Sequence, residues 1–244
     1  MVPLRLAIAV LALHVATHSS AIAVTLGESD TFDSGTTENW TAGGGPNGGT
    51  PPVPPEVAPD GGPGGAGDEF LEITGVGGNG PGSRLTAMNI LAQWAGNYLA
   101  AGVGAIGMDL RNLGDSDLTI RLLFEDPIPG PPANEAVTTT GFLLPTGTGW
   151  THVIFPIAPA DLTPLLGDAT TVLGNTTVLR ILHSPSPTEA VPIAGVLGVD
   201  NITALARPVP ESPVLALIAV AFIALATVRG IRSDLRDIAE KECR

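Results

Sequence analysis

Residues 105–124 read AIGMDLRNLGDSDLTIRLLF. Ile106, Met108 and Leu110 alternate with Gly107, Asp109 and Arg111, and Leu118, Ile120 and Leu122 alternate with Thr119 and Arg121. Successive side chains of a strand point to opposite faces, so each run predicts a half-buried β-strand, over 105–113 and 118–124. Asn112-Leu113-Gly114-Asp115 supplies turn chemistry between them.

The same period-two pattern extends outward. Short strands are expected at Phe70–Ile73, Arg84–Met88, Thr151–Ile157, Val178–His183 and Gly198–Ala206, with helical turns at Asn89–Gln93 and Pro159–Leu166. Gly and Pro are abundant and aromatic residues sparse, a balance that suits many strands joined by turns. The expected fold is all-β: an antiparallel β-sandwich of roughly eight to ten strands, of jelly-roll type.

One stretch breaks the pattern. Residues 43–67 read GGGPNGGTPPVPPEVAPDGGPGGAG, with little apolar surface to offset ordering entropy, and are expected to form a long flexible loop.

The two ends carry a different signal. Arg5 precedes the apolar run Leu6–Leu13, and Ala21-Ile22-Ala23 offers signal peptidase its small-x-small pattern, so residues 1–23 read as a signal peptide and the mature chain starts at Val24. At the other end Pro208, Pro210 and Pro213 hold an extended run. Nothing from Ser212 to Val228 is charged, near the lower limit of about 17–25 apolar residues for a bilayer span, so 214–228 is expected to be a transmembrane helix. Arg229 and Arg232 begin a basic stop and cytoplasmic tail over 229–244. Residues 24–207 are thereby placed outside the cytoplasm, in the cell envelope or beyond it.

Between Val24 and Arg207 the chain has no lysine, and five arginines stand against nineteen Asp and Glu. Such a surface repels nucleic acid and anionic lipid and favours cations or neutral polymers. Cys243, in the tail, is the single cysteine, which leaves the exported domain without disulfide or thiol chemistry.

Val209, Pro210, Glu211 and Ser212, followed by the apolar run and the arginines, resemble the PEP-CTERM class of bacterial sorting signals. Ser212 stands where that class has a second proline, so the motif also resembles the related Val-Pro-Asp-Ser-Gly signal. The resemblance implies an exosortase-like membrane transpeptidase as processing partner, cutting near the motif. Within the domain, Phe32-Asp33-Ser34-Gly35 with Trp40, Gly149-Trp150-Thr151-His152-Val153 and Val199-Asp200-Asn201-Ile202 resemble galactose-binding-like jelly rolls, the group that includes carbohydrate-binding modules. That resemblance implies a structural calcium between the first and last strands. Asp33 and Asp200 are the matching positions, with Asp30 as a helper. The alternative is that Asp33 forms a turn and Asp200 is a solvated strand residue.

No catalytic set converges. Gly102–Gly107 matches the dinucleotide-binding glycine pattern but continues as a strand rather than opening a helix. His152 and His183 have no nucleophile elbow near them. Trp94 and Tyr98, in a Gly-flanked stretch, are the candidate glycan platform; the alternative is that both pack in the core. The sequence therefore points to a non-enzymatic, exported β-sandwich with a structural or adhesive role in exopolysaccharide or biofilm, or to a carbohydrate-binding module for a specific glycan.

Overall fold

The computed structural model describes residues 23–43, 52–126 and 131–207. They form two antiparallel sheets packed face to face. The first sheet has the order β10 (Thr151–Pro156), β6 (Val103–Asn112), β13 (Ala194–Ala206), β4 (Phe70–Val76), β3 (Glu56–Ala58), with β1 (Ser29–Asp30) also on β13. The second has the order β11 (Leu162–Leu166), β8 (Asn134–Thr138), β7 (Leu118–Asp126), β12 (Val178–His183), β5 (Thr86–Asn89), β2 (Thr41–Ala42), with β9 (Phe142–Leu144) on β7.

The alternation in 105–124 builds the core. Ile106, Met108 and Leu110 point inward from β6, and Leu118, Ile120, Leu122 and Phe124 face them from β7, all fully buried. Leu71 and Ile73 of β4 and Leu179 and Ile181 of β12 fill the same layer. The connection at 113–117 does not make a hairpin: β6 belongs to the first sheet and β7 to the second, so the turn arches across the sandwich. Asn112 secures the arch by donating through Nδ2 to Ser116 O and Leu144 O, both at 2.9 Å.

Two local expectations are adjusted. The helical turn expected over Pro159–Leu166 is a 3-10 turn confined to Pro159–Asp161, and Leu162–Leu166 is strand β11. Within the segment expected to be a flexible loop over 43–67, residues 56–67 hold defined structure: β3 pairs with β4, and Gly62 and Gly65 form a bridge. Backbone amides organise it. Gly64 N–H donates to Asp68 Oδ2 at 2.5 Å, Gly67 N–H to Asp60 Oδ1 at 2.6 Å, and Gly62 N–H to Asp68 O at 2.9 Å. Apolar area was the wrong quantity to count, because two carboxylates held by backbone donors replace a core here. A Cβ at Gly62 would run into the Asp68 carboxylate. Gly62→Val is therefore expected to cost about 1–3 kcal/mol, read as a lower denaturant midpoint with an unchanged slope.

The signal-peptide, sorting-motif and membrane-span readings fall on 1–22 and 208–244, outside the described residues. Among the described residues no helix is long and apolar enough to cross a membrane. The two α-helices among the described residues, α1 (Tyr98–Ala101) and α2 (Ala169–Gly174), are short and capped by Asn97 and Asp168. Both lie at the end of the sandwich where β6 begins and β13 finishes, Val103 pairing with Ala206.

Candidate functional site: the outer face of the first sheet

With Ile106, Met108, Leu197, Val199 and Val153 turned inward, the intervening residues line the outer face of the first sheet. Register places His152, Asp109 and Asp200 in one row, and Arg111, Gly198, Glu72 and Glu56 in the next. Trp150, just before β10, lays its indole across this second row. A Cβ on Gly198 would come within 2.9 Å of Trp150 Cη2 and 3.3 Å of Phe70 Cε2, so glycine is what lets the ring lie close to the sheet. Phe70 meets the indole edge-on, with centroids 5.2 Å apart. The Trp150 Nε1–H donates to Gly61 O at 2.8 Å, which ties the Gly/Pro segment to the same face. The indole is held from three sides yet remains partly exposed.

Polar side chains surround it. Asp109 accepts from Asn201 Nδ2 through Oδ2 at 2.8 Å, and its Oδ1 lies 2.8 Å from His152 Nδ1. The His152 side chain is 57% exposed. Asn201 reaches Asp109 because β13 changes register between Asp200 and Thr203, with Asn201 at φ 51°. Residues two apart on one strand face lie about 7 Å apart, so the indole edge and these polar groups fall within the span of a sugar ring and its hydroxyls.

Asp200 is buried beneath them. Its Oδ1 accepts from Asn201 N–H at 2.7 Å. Burial pushes its carboxyl up to about 7, and the charges of Asp68, Asp33 and Asp109 add to the shift. The fold thus brings Asp33 and Asp200 into electrostatic range, and Asp200 is not a solvated strand residue. Calcium needs a convergent oxygen-rich ligand set, and among the described residues no group of three or more His, Cys, Asp or Glu side chains is placed to hold a metal. Asp30, the expected helper, serves elsewhere.

Trp94 and Tyr98 do not form a glycan platform; neither has exposed surface. Trp94 Nε1–H donates to Asp30 Oδ2 at 2.6 Å, and Trp40 Nε1–H donates to the same oxygen at 2.7 Å. Gln93 Nε2 donates to Asp30 Oδ1 at 3.2 Å, and Tyr98 OH donates to Trp94 O at 2.8 Å. The buried Asp30 carboxylate holds Trp94 and Trp40 in the core, and core packing was the alternative reading of Trp94 and Tyr98. Trp150 was legible only as one of the chain's three tryptophans, within the Gly149–Val153 motif. The signal that separates it is Gly198, 48 residues downstream, and that pairing exists only in the fold.

The opposite face is closed. Arg121, buried on the outer side of β7, donates to Thr138 O at 2.7 Å, Thr139 O at 2.8 Å, Ser184 O at 2.9 Å and Pro185 O at 3.1 Å. It thereby pins the 184–193 segment, whose Ala190 packs on Leu123, Val137 and Leu182. A cleft of about 300 Å³ lined by Asn79, Ser83, Arg84 and Pro192 offers no aromatic side chain to a sugar.

No protein-family model matches the chain, and no curated protein matches it either. Solved structures do. A family 11 carbohydrate-binding module from Clostridium thermocellum, in complex with a β-1,3-1,4-mixed-linked tetrasaccharide, superposes with a TM-score of 0.51 at 14% identity, covering 75% of this chain and 98% of that one. The solution structure of CtCBM11 gives a TM-score of 0.50 at 17% identity over 78% of this chain and 99% of that one. At these identities the likeness concerns the fold: the chain has the two-sheet sandwich of carbohydrate-binding modules.

Proposed function

We propose that the domain is a non-catalytic glycan-binding module and that the outer face of its first sheet, centred on Trp150, receives the sugar. The observation that carries this reading is a partly exposed indole held rigidly over Gly198 beside Asp109, His152, Asn201 and Arg111. Aromatic faces take the apolar C–H face of a pyranose, while paired polar side chains at the rim receive its hydroxyls. The resemblance in fold to modules described as carbohydrate-binding supports it. The predominance of carboxylates over arginines favours neutral or cationic polysaccharides over polyuronic ones. Export by the N-terminal signal, anchoring through 214–228, and sorting at Val209–Ser212 by an exosortase-like enzyme whose cut would end the anchored stage complete the proposal, with exopolysaccharide of the envelope or biofilm as partner. An adhesive role follows from binding.

Affinity electrophoresis against soluble β-glucan, xylan, chitosan and alginate tests it. Trp150→Ala is expected to weaken binding at least about tenfold, because central aromatic anchors dominate such contacts. Gly198→Leu should weaken it similarly by displacing the ring. Binding unaffected by either change would place the site elsewhere, and failure on a broad glycan panel would remove the function.

A further inference from the structure

Exposed apolar side chains gather at one end of the sandwich, and it is the end from which the chain leaves for its apolar segment. Leu26 is 50% exposed, Ile90 and Leu91 are each 43% and Leu99 is 41%. Topology puts them together. Residues 90–102 connect the end of β5 to the start of β6, and the N-terminal segment runs over them. Val24 N–H donates to Ala95 O at 2.8 Å, and Leu26 Cδ1 lies against Gly102. The last described residue, Arg207, packs beside Gly104. Val76 and Leu143, also exposed, lie at the opposite end, and Ile154 lies on the outer face of β10.

Six residues, 208–213, separate Arg207 from the apolar run beginning at Val214. Even fully extended, the seven steps from Arg207 to Val214 span no more than about 25 Å. A bilayer holding that run therefore lies close to this end of the domain, where Leu26, Ile90, Leu91 and Leu99 are exposed.

We infer that Leu26, Ile90, Leu91 and Leu99 form a membrane-contacting foot that rests the domain on the lipid surface. The inference depends on the anchoring role given to 214–228 above. Leucine and isoleucine side chains shed water by entering the headgroup boundary, as interfacial elements do. The contact is with zwitterionic lipid, since the domain has no lysine and carries a large acidic excess that anionic headgroups would repel. Grounding this end leaves Trp150 and the outer face of the first sheet on the flank, open to polymer.

The full chain with Cys243→Ser is reconstituted into phosphatidylcholine vesicles, with a fluorophore on a single cysteine introduced by Leu26→Cys, Leu99→Cys or, at the far end, Asn79→Cys. Nitroxide-bearing lipid is expected to quench the labels at 26 and 99 several-fold more than the label at 79. Leu26→Glu with Leu99→Glu should abolish the quenching of a label introduced by Leu91→Cys while leaving glycan binding and vesicle flotation unchanged. Equal, weak quenching at 26, 99 and 79 in a chain that floats with the vesicles leaves the anchor standing and overturns the foot. A chain that does not float with vesicles refutes the anchor and the foot together. Label-to-label quenching at 26 without lipid would show that a second copy covers this end, and overturns the inference.

Discussion

Asp30→Ala is expected to lower the stability of the domain by about 3–5 kcal/mol, with a fall in Tm on the order of 10 °C. Asp30 Oδ2 is the acceptor for both the Trp40 and the Trp94 indole N–H, and all three residues are buried. Removing the carboxylate leaves two buried donors without a partner, at about 1–3 kcal/mol each, and opens a small void. It also releases Gln93, whose amide bridges Asp30 to Glu38 O. The loss should be cooperative, because the hub joins β1, the strand following Trp40 and the 90–102 connection. Asp30→Asn keeps an oxygen acceptor and is expected to lose less than half as much. Equilibrium denaturation of both variants, followed by tryptophan emission, decides the matter. A loss below about 1 kcal/mol for the alanine variant would show that the indoles find other acceptors.

The hub also marks the boundary of what the sequence could reveal. The strand readings at 105–113, 118–124, 151–157 and 178–183 located β6, β7, β10 and β12 to within a residue or two; one buried face imposes the alternation in β10, whereas β7 and β12 are covered on both faces. Pairing was not legible. The connector 113–117 has the chemistry of a hairpin turn, yet it arches between sheets, and only the packing of Leu110 and Leu118 into one core distinguishes the two. The site divides in the same way. Local motifs drew attention to Asp33, Trp150, His152 and Asp200, and the fold does gather Trp150, His152 and Asp200 on one face. Trp94 and Tyr98 went the other way, because the partner that buries Trp94, Asp30, lies 64 residues earlier. Glycine was the least legible residue of all. In 61–67 it supplies amides to Asp60 and Asp68, and at 198 it makes room for an indole, and neither use leaves a trace in composition.

The domain is expected to be more stable at pH 5 than at pH 8, against the habit of most proteins to weaken on acidification. Three carboxyls decide the sign: Glu135 and Asp200, which are buried, and Glu38, which is half-buried. Burial raises Glu38 to about 7, with the charge of Asp30 adding to the shift. Burial raises Glu135 to about 8, helped by the hydrogen bond and charge of Glu189. Asp200 is raised to about 7. Glu38 Oε2 and Glu135 Oε1 are buried oxygens without a donor, and a proton on each removes the deficit by turning it into a donor, toward Asp30 and Glu189 respectively. Because these folded-state values lie above the unfolded ones of about 4, the folded chain binds more protons between pH 4 and pH 8. Their contribution is fully present below about pH 4 and is lost as pH rises through 7 to 8. Each unit corresponds to about 1.4 kcal/mol, and discounting by about half for solvent screening leaves roughly 3–5 kcal/mol between pH 5 and pH 8. Relief of repulsion among nineteen acidic residues acts in the same direction. Thermal melts at pH 5, 6.5 and 8 should show Tm falling as pH rises, and Glu135→Gln should flatten part of the slope by stabilising at pH 8 while changing little at pH 5. A Tm that climbs from pH 5 to pH 8 would mean that Glu38, Glu135 and Asp200 are ionised in the folded domain, with cations or water compensating them.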